Sequence, residues 1–129
     1  MRKLVMMVAV LGLGAGIASA EPLLGMWQTA KDDNGKFGLV EVAPCGNKLC
    51  GKLVKSYDEN GNETQSDNIG RNIISETVPV GGGEYKGKVY SPDRDKTYNS
   101  RLELKGDRLE VSGCVMFICR DGGTWRKMQ

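Results

Sequence analysis

The four cysteines are the residues of this sequence whose type and spacing could do chemistry. They form two pairs, Cys45 with Cys50 and Cys114 with Cys119, and four residues separate the members of each pair. Such cysteines can form disulfides, bind zinc or act as a redox dithiol. Zinc knuckles and redox motifs use two intervening residues, and the redox thiolate also needs a helix N-terminus. The spacing therefore favours disulfides.

Four cysteines allow three disulfide connectivities. In a hairpin with a four-residue loop, the two residues that flank the loop lie opposite each other at a Cα separation that a disulfide accepts. This geometry favours the local pairs, Cys45 with Cys50 and Cys114 with Cys119, as clamps on the outside or the rim of the domain. Bridges between the two motifs stay open as the alternative, because spacing alone does not fix connectivity.

Candidates for catalysis are few. The sequence contains no histidine, which excludes Ser–His and Cys–His nucleophile pairs and removes the commonest metal ligand. Asp93 and Asp95 form a candidate carboxylate pair, but alternating charges in such a segment are typical of a solvated turn. We therefore predict no catalytic residue, no cofactor and no metal. An enzyme acting through these two carboxylates is the least favoured alternative.

The first 20 residues have the pattern of a secretory signal peptide. Arg2 and Lys3 precede an uncharged apolar run over residues 4–17, and Ala18-Ser19-Ala20 offers a signal peptidase site. We expect cleavage after Ala20, with an uncleaved anchor as the alternative. Residues 21–129 would then form a single domain in the periplasm or outside the cell, where disulfides persist. No stable membrane insertion is expected after cleavage.

The balance of charged residues limits the classes of partner that this chain is expected to bind. The chain has 18 Lys and Arg residues and 16 Asp and Glu residues, and the predicted signal peptide holds two of the basic ones. The mature side chains would therefore carry no net charge. A neutral, mixed surface has no electrostatic footprint for nucleic acid and no basic stripe for anionic lipid. Nucleic acid is not expected as a partner.

The remaining pattern is typical of short β-strands. Turn-forming glycine and asparagine clusters recur every eight to twelve residues after residue 20, without the apolar period of an amphipathic helix. Residues 97–104 alternate between a polar and an apolar face, and a second such strand follows the turn at 105–107. We predict an all-β fold, a small antiparallel up-and-down barrel of seven or eight strands. Polar residues 58–72 would be a long loop or a weak edge strand.

The barrel interior is the candidate binding site. A barrel of eight strands is just wide enough to be filled by side chains or to hold one small ligand. The inward residues that would line a ligand cavity are Leu53, Tyr57, Tyr85, Val89, Tyr98, Leu102, Leu109 and Val111.

The segment between the second pair of cysteines is entirely apolar. It reads Val115-Met116-Phe117-Ile118, and four consecutive apolar side chains are not expected to face water. We predict that this segment folds over one end of the barrel as a plug. The alternative is a contact patch for a partner.

Two resemblances rest on motifs along the chain. Gly25-x-Trp27 near the start and Trp125-Arg126 near the end resemble lipocalin and fatty-acid-binding barrels, which implies that Arg126 covers Trp27 at the barrel base as a cation over an indole. A longer ordered set of motifs resembles domain-of-unknown-function family 2147, small exported bacterial proteins. That set is Gly25-x-Trp27, Cys45-Gly46, Leu49-Cys50-Gly51-Lys52, the GGGEYKGKVY run at 81–90 with Pro92, Lys96-Thr97-Tyr98, Leu109-x-Val111-x-Gly113-Cys114, Cys119-Arg120 and Trp125-Arg126.

The second resemblance implies a compact lipocalin-like barrel in the bacterial envelope, and it brings no agreed activity. The chain departs from many relatives at residues 58–72, where they carry an Asn-Pro and an Arg-rich stretch. We therefore predict a non-catalytic periplasmic or secreted binding module, which would hold a small apolar ligand. The alternative is a structural or interaction protein with a filled barrel, whose apolar segment meets an envelope protein.

Overall fold

The computed structural model describes residues 21–128, so the predicted signal peptide lies outside the described residues. This part of the chain contains nine β-strands. They are β1 (Gly25–Gln28), β2 (Phe37–Cys45), β3 (Lys48–Tyr57), β4 (Glu63–Thr64), β5 (Asn72–Gly81), β6 (Glu84–Ser91), β7 (Lys96–Lys105), β8 (Arg108–Val115) and β9 (Ile118–Met128).

Eight of these strands close into an antiparallel barrel. The order around the ring is β1-β2-β3-β5-β6-β7-β8-β9, and β1 closes it by pairing with both β2 and β9. The two-residue strand β4 pairs only with the end of β3. The predicted all-β up-and-down barrel is therefore confirmed. Within residues 58–72, the structure has both a loop and a short edge strand.

The connections gather at two ends of the barrel, because consecutive strands run in opposite directions. One end, called the turn end, carries the tight turns after β2, β5 and β7 and the segment 21–24. The other end, called the loop end, carries four connections. These are residues 29–36, 58–71, 92–95 and 116–117.

Large apolar side chains fill the barrel. Trp27, Leu102 and Leu109 are each 0% exposed, and they belong to β1, β7 and β8. Facing strands thus contribute to one packed core, as expected for a small barrel whose inward positions hold bulky residues. The largest fully buried side chains of the described residues are Leu23, Trp27, Val40, Ile74, Thr77, Leu102 and Leu109.

The segment before β1 closes the turn end. Leu23 is buried, and its carbonyl accepts a hydrogen bond from Trp27 Nε1 at 2.9 Å. Tyr85 is also buried, and its hydroxyl donates a hydrogen bond to the Glu21 carboxylate. Burial, together with this carboxylate, raises the pKa of the Tyr85 hydroxyl, so Tyr85 stays protonated. The start of the described chain is therefore part of the folded domain.

Lys127 lies over the Trp27 ring, and the expectation that Arg126 does so is wrong. The Lys127 Nζ atom is 4.9 Å from the Trp27 ring centroid, and it donates to the carbonyls of Pro22, at 3.1 Å, and of Leu24. The register explains the difference, since Trp27 lies opposite Lys127 on β9 and Arg126 points to the other face, where it is exposed.

Both predicted local disulfides are present. Cys45 pairs with Cys50 at a Cα separation of 5.5 Å, and Cys114 pairs with Cys119 at 4.0 Å. The first bridge lies at the turn end and the second at the loop end. Cys45 and Cys119 are exposed and Cys50 is half-buried, as expected for clamps at the rim. Cys114 is buried instead, because β7 and β9 flank it on both sides.

The two hairpins differ in detail from the expected four-residue loops. Each has a two-residue turn, Gly46-Asn47 in one and Met116-Phe117 in the other. Cys114 lies directly opposite Cys119, whereas Cys50 lies opposite Ala43, so the first bridge is diagonal. The same spacing in the sequence therefore gives two different registers.

Candidate functional site

The apolar segment between the second pair of cysteines projects into solvent. We call Val115–Ile118 the hairpin tip. Its four side chains are 59%, 84%, 98% and 70% exposed in chain order. The prediction that this segment plugs the barrel is wrong. The two-residue turn continues the β8–β9 hairpin outward, and β7 pairs with β8 only as far as Cys114.

A disulfide and a β-bulge shape the β8–β9 hairpin below its tip. The Cys114–Cys119 bridge joins the two strands directly below the tip. Farther along β9, Gly122 and Gly123 form a bulge in the register with β8, and Gly123 has a φ of +100°. A Cβ on Gly123 would also lie 2.4 Å from Ala30 Cβ. Such a bulge bends the strand, and only glycine suits it here. The tip is therefore a supported projection.

Two similar loops lie side by side at the loop end. Asp32 and Asp58 each accept hydrogen bonds from the backbone N–H groups two and four residues ahead, at 2.8 to 2.9 Å. Asp and Asn residues commonly stabilise turns in this way. Gly35, with φ +81°, allows the contact between the loops, because a Cβ there would lie 2.9 Å from Glu59 Cβ.

The loop over residues 29–36 also reaches across the barrel mouth. Burial and the neighbouring carboxylates of Asp32 and Asp33 raise the pKa of Asp93. The β1–β2 and β6–β7 connections are on opposite sides of the eight-strand ring. Since Asp32 and Asp33 lie near enough to Asp93 to raise its pKa, the 29–36 loop extends over the mouth.

Asp93→Asn is expected to stabilise the protein at neutral pH. The pKa of Asp93 is raised above 3.8 in the folded chain. The Asp93 side chain therefore stabilises the fold below that pH, and this stabilisation is lost as the pH rises through the pKa that Asp93 has in the folded state. At pH 7 two ionised carboxylates face each other, and the amide removes this repulsion. We expect a gain below about 1 kcal/mol, because solvent screens these charges.

Thermal unfolding of Asp93→Asn between pH 3 and pH 7 measures this effect. The difference from the unmodified protein should shrink as the pH is lowered. Asp67→Asn, in the adjacent loop, is the control and should show no comparable gain. A loss of stability at pH 7 on Asp93→Asn would contradict the expected repulsion.

Asp93 and Asp95 do not form a carboxylate pair. Asp95 accepts a hydrogen bond from the Tyr90 hydroxyl at 2.6 Å, whereas Asp93 faces Asp32. The hydrogen bond to Asp95 raises the pKa of Tyr90. The Arg71 guanidinium lies 4.2 Å from the Tyr90 ring centroid and covers that ring. The two carboxylates thus have separate partners and do not converge on one point.

The eight candidate lining residues divide by depth. Three of them, Tyr57, Val89 and Tyr98, are half-buried, and Tyr57 stacks on Phe37 with ring centroids 5.0 Å apart. Val89 and Tyr98 lie opposite each other near the mouth. The other five are buried in the packed core, namely Leu53, Tyr85, Leu102, Leu109 and Val111. That they line a ligand cavity stays a prediction.

Sequence reasoning did not single out Ser100 as a site residue. Its side chain is 4% exposed, and among the described residues its Oγ atom has no hydrogen-bond partner. Gly87 and Gly113 lie on either side of it in the sheet. The alternation of β7 places Ser100 on the inward face with Tyr98 and Leu102, which is the only sequence signal for it. A buried, unpaired hydroxyl is uncommon and needs a reason.

A partly open cleft lies on the outer face of β3. It has a volume of about 390 Å³, and its walls come from β3 and from the segment 63–69. Lys55 and Glu63 form an exposed ion pair at 4.0 Å beside it. The residues that line it are Val54, Lys55, Ser56, Glu63, Thr64, Gln65 and Ile69. The polar pattern of residues 58–72 gave no prediction of this cleft.

Two further observations bear on the site. Across residues 21–128, no cluster of three or more acidic or cysteine side chains is arranged to hold a metal ion. Over the same residues, no helix has the length and apolar character that crossing a membrane requires.

Comparisons with known proteins agree with this fold. Protein HP1028 from Helicobacter pylori, described as belonging to the lipocalin family, has a similar structure, with a TM-score of 0.65, 22% identity and 83% of each chain covered. At this identity the likeness shows the fold, which is lipocalin-like. No curated protein sequence matches the chain. Residues 25–127 match a family model described as an uncharacterized protein conserved in bacteria. The chain belongs to this family, domain-of-unknown-function family 2147.

Proposed function

We propose that this protein is a non-catalytic binding module of the bacterial envelope, which makes its contact through the hairpin tip. The exposure of four consecutive apolar side chains at 59–98% is the observation that carries the proposal. Burying each one in a contact would contribute about 1.5–3 kcal/mol before the costs of association. An exposed apolar cluster of this kind typically marks an interaction site.

The packed interior supports the use of the barrel as a scaffold. Trp27, Leu102 and Leu109 fill the turn-end half, and residues 21–24 cover it. The Cys114–Cys119 bridge joins the two barrel strands that carry the hairpin tip, directly below it. A pre-organised contact loses less conformational entropy on binding than a flexible loop does.

The proposed location is the periplasm or the cell exterior, after cleavage at Ala20. Two disulfides in a bacterial protein support it, since disulfides persist in oxidising compartments and are rare where thiols are kept reduced. The absence of histidine from the sequence and the separate partners of Asp93 and Asp95 support a role without catalysis.

Site-specific photo-cross-linking in intact cells tests this function. A photoreactive phenylalanine analogue in place of Phe117 should form adducts with another envelope component. The same analogue in place of Asn47, which is exposed in the turn at the opposite end, is the matched control and should form few. Equal adduct yields at the two positions would reject the hairpin tip as the contact site.

Binding of a small apolar ligand inside the barrel is the second candidate function. The unpaired Oγ atom of Ser100 favours it, because a ligand with one polar group could supply the missing hydrogen bond. Entry would be from the loop end, past Val89 and Tyr98. Native mass spectrometry of protein purified from periplasm without denaturation would detect such a ligand as extra mass.

Ser100→Ala separates the two functions. If the interior is filled, the substitution removes a buried polar group without a partner and should raise the free energy of unfolding by about 1 kcal/mol. If a ligand pairs with this hydroxyl, the extra mass should be lost in the variant. Urea unfolding and native mass spectrometry on the same preparations measure both quantities. Ser112→Ala, half-buried on the neighbouring strand, is the control.

A further inference from the structure

We propose that the inner wall of the barrel contains a polar recess at Ser100, which binds the hydroxyl group of a small apolar alcohol. Three groups form this recess, namely the Ser100 hydroxyl and the backbone carbonyls of Ser75 and Glu76. The inference rests on the second candidate function and deepens it, since it names the polar group of the ligand inside the barrel. It is independent of any contact made by the hairpin tip.

The Ser100 hydroxyl is the side-chain group of the recess. Ser100 is 4% exposed, and its Oγ atom has no hydrogen-bond partner in the part of the chain that the structure describes. On the inward face of β7 it lies between Tyr98, towards the mouth, and Leu102, in the packed core. Its neighbours across the sheet are Gly87 and Gly113, and neither has a side chain that reaches the hydroxyl.

A bulge in β5 brings two backbone carbonyls to the same level of the wall. The register between β5 and β6 shifts between Ser75 and Val78, so two residues of β5 lie opposite Gly87. By the alternation of β6, a Cβ on Gly87 would point inward. It would lie 2.6 Å from the Ser75 carbonyl oxygen and 2.8 Å from the Glu76 carbonyl oxygen. Both oxygens therefore border the space over Gly87.

The backbone of the bulge is held in an unfavourable conformation. Glu76 has a φ of +49°, in the left-handed region that favours glycine, and its side chain is exposed. Such strain persists only where the surrounding structure fixes it, and it is common at ligand sites. The two carbonyls are thus fixed in place by the strand itself.

One interposed group can join Ser100 to these carbonyls. Gly87 lies directly opposite Ser100, and facing residues of antiparallel strands have Cα atoms about 4.5–5.5 Å apart. Because Ser100 Oγ forms no direct hydrogen bond with either carbonyl, a bridging group has to bind between them. Thr77 does not supply this bridge, since its buried hydroxyl donates to the Ser75 carbonyl at 3.1 Å.

The recess matches a neutral group that both donates and accepts a hydrogen bond. A ligand hydroxyl accepts from Ser100 and donates to a carbonyl, whose oxygen has two lone pairs. A carboxylate has no proton for the carbonyls, and no side chain on the inward faces of β6, β7 and β8 carries a charge to pair with it. Lys127, at the turn end, donates to the carbonyls of Pro22 and Leu24 instead. Burying an unpaired charge is costly, which also disfavours an ammonium group.

The apolar part of the ligand would lie between the recess and the loop end. Ser100 is four residues from Lys96, where β7 begins, a distance of about 13 Å along the strand. Val89 and Tyr98 face each other within this stretch and are half-buried. An alkyl chain that extends from the recess to the mouth would therefore contact these two side chains. The ligand class is a small alcohol with an alkyl chain.

Two isomeric probes test the inference on the oxidised protein. n-Octanol and heptyl methyl ether have the same composition, but only the alcohol has a proton to donate. Isothermal titration calorimetry should give an affinity about fivefold higher for the alcohol, as expected for one additional hydrogen bond. Octanoate at pH 7 should bind more weakly than n-octanol. An affinity for octanoate equal to that for n-octanol would overturn the assigned ligand class.

Ser100→Ala should lower the affinity for n-octanol about fivefold and leave the affinity for the ether unchanged. Ser112→Ala, on the outward face of β8, is the control and should change neither affinity. Urea unfolding establishes that both variants are folded. If Ser100→Ala bound n-octanol as well as the unmodified protein does, the hydroxyl would not bind at Ser100 and the inference would fail.

Amide NMR spectra of the unmodified protein locate the bound alcohol without a substitution. The amide resonances of Gly87 and Gly113 should shift when n-octanol is added, and that of Gly46, at the turn end, should not. Shifts confined to Met116 and Phe117 would place the alcohol on the hairpin tip and would overturn the inference.

The outcomes separate this inference from the functions on which it builds. If the two isomers bind equally tightly inside the barrel, the alcohol recess fails and the second candidate function stands. If neither isomer binds at its solubility limit, the recess holds water only and the inference fails. Native mass spectrometry then decides the second candidate function by itself. Cross-linking at Phe117 tests the contact of the hairpin tip, and its result does not depend on either probe.

Discussion

Trp27→Ala is expected to lower the free energy of unfolding by about 3–5 kcal/mol, the range for deleting a large aromatic side chain from a packed core. Trp27 is 0% exposed, and its ring contacts the Lys127 cation. The substitution also leaves the Leu23 carbonyl without the indole donor. Segment 21–24 should therefore loosen at the same time. Urea unfolding of the oxidised protein gives the free energy directly.

Phe117→Ala is the matched control for the loss of an aromatic ring. Phe117 is 98% exposed, so its removal should change the free energy of unfolding by no more than about 0.5 kcal/mol. If Trp27→Ala cost less than about 1 kcal/mol, the interior would not be packed as described, and a hollow barrel would become the better account. If Phe117→Ala were strongly destabilising, the tip would be buried in solution.

Strand alternation is the part of the fold that the sequence predicts well. Every second residue of a strand faces the core, so Tyr98, Leu102 and Leu109 could be assigned to the inward face from the sequence alone. The glycine and asparagine turns set the strand count, and the signal peptide pattern with local cysteine spacing favoured the disulfides. These features depend on neighbours in the sequence, and local patterns reveal them.

Other features of the candidate site could not be predicted from the sequence, and the first of them depends on the register between β1 and β9. A shift of one residue decides whether Arg126 or Lys127 faces Trp27, and no local pattern fixes that register. The prediction that the hairpin tip plugs the barrel was wrong for a different reason. Hydropathy favours burial of Val115–Ile118, but a two-residue turn carries the hairpin past the end of the barrel. Ser100 was placed on the correct face, yet only the packed structure shows that its hydroxyl lacks a partner.

Gly87→Ala is expected to be a strongly destabilising methyl addition in the wall of the barrel. A Cβ at this position would lie 2.6 Å from the Ser75 carbonyl oxygen, 2.8 Å from the Glu76 carbonyl oxygen and 2.8 Å from Thr77 Cα. All three atoms are backbone, so no side chain can rotate away. The contact arises because the register between β5 and β6 shifts between Ser75 and Val78, which brings the β5 backbone towards Gly87.

We expect Gly87→Ala to lower the free energy of unfolding by about 2–3 kcal/mol, the upper part of the range for overpacking, because the backbone of β5 has to move. Gly113→Ala is the matched control. Both glycines lie beside Ser100, but a Cβ on Gly113 would meet Tyr98 at 3.4 Å, an ordinary contact. Its effect should stay within about 0.5 kcal/mol. Urea unfolding measures both variants. An equal loss of unfolding free energy in the two would show that the β5 bulge is not the cause of the destabilisation, because only Gly87 faces the displaced backbone.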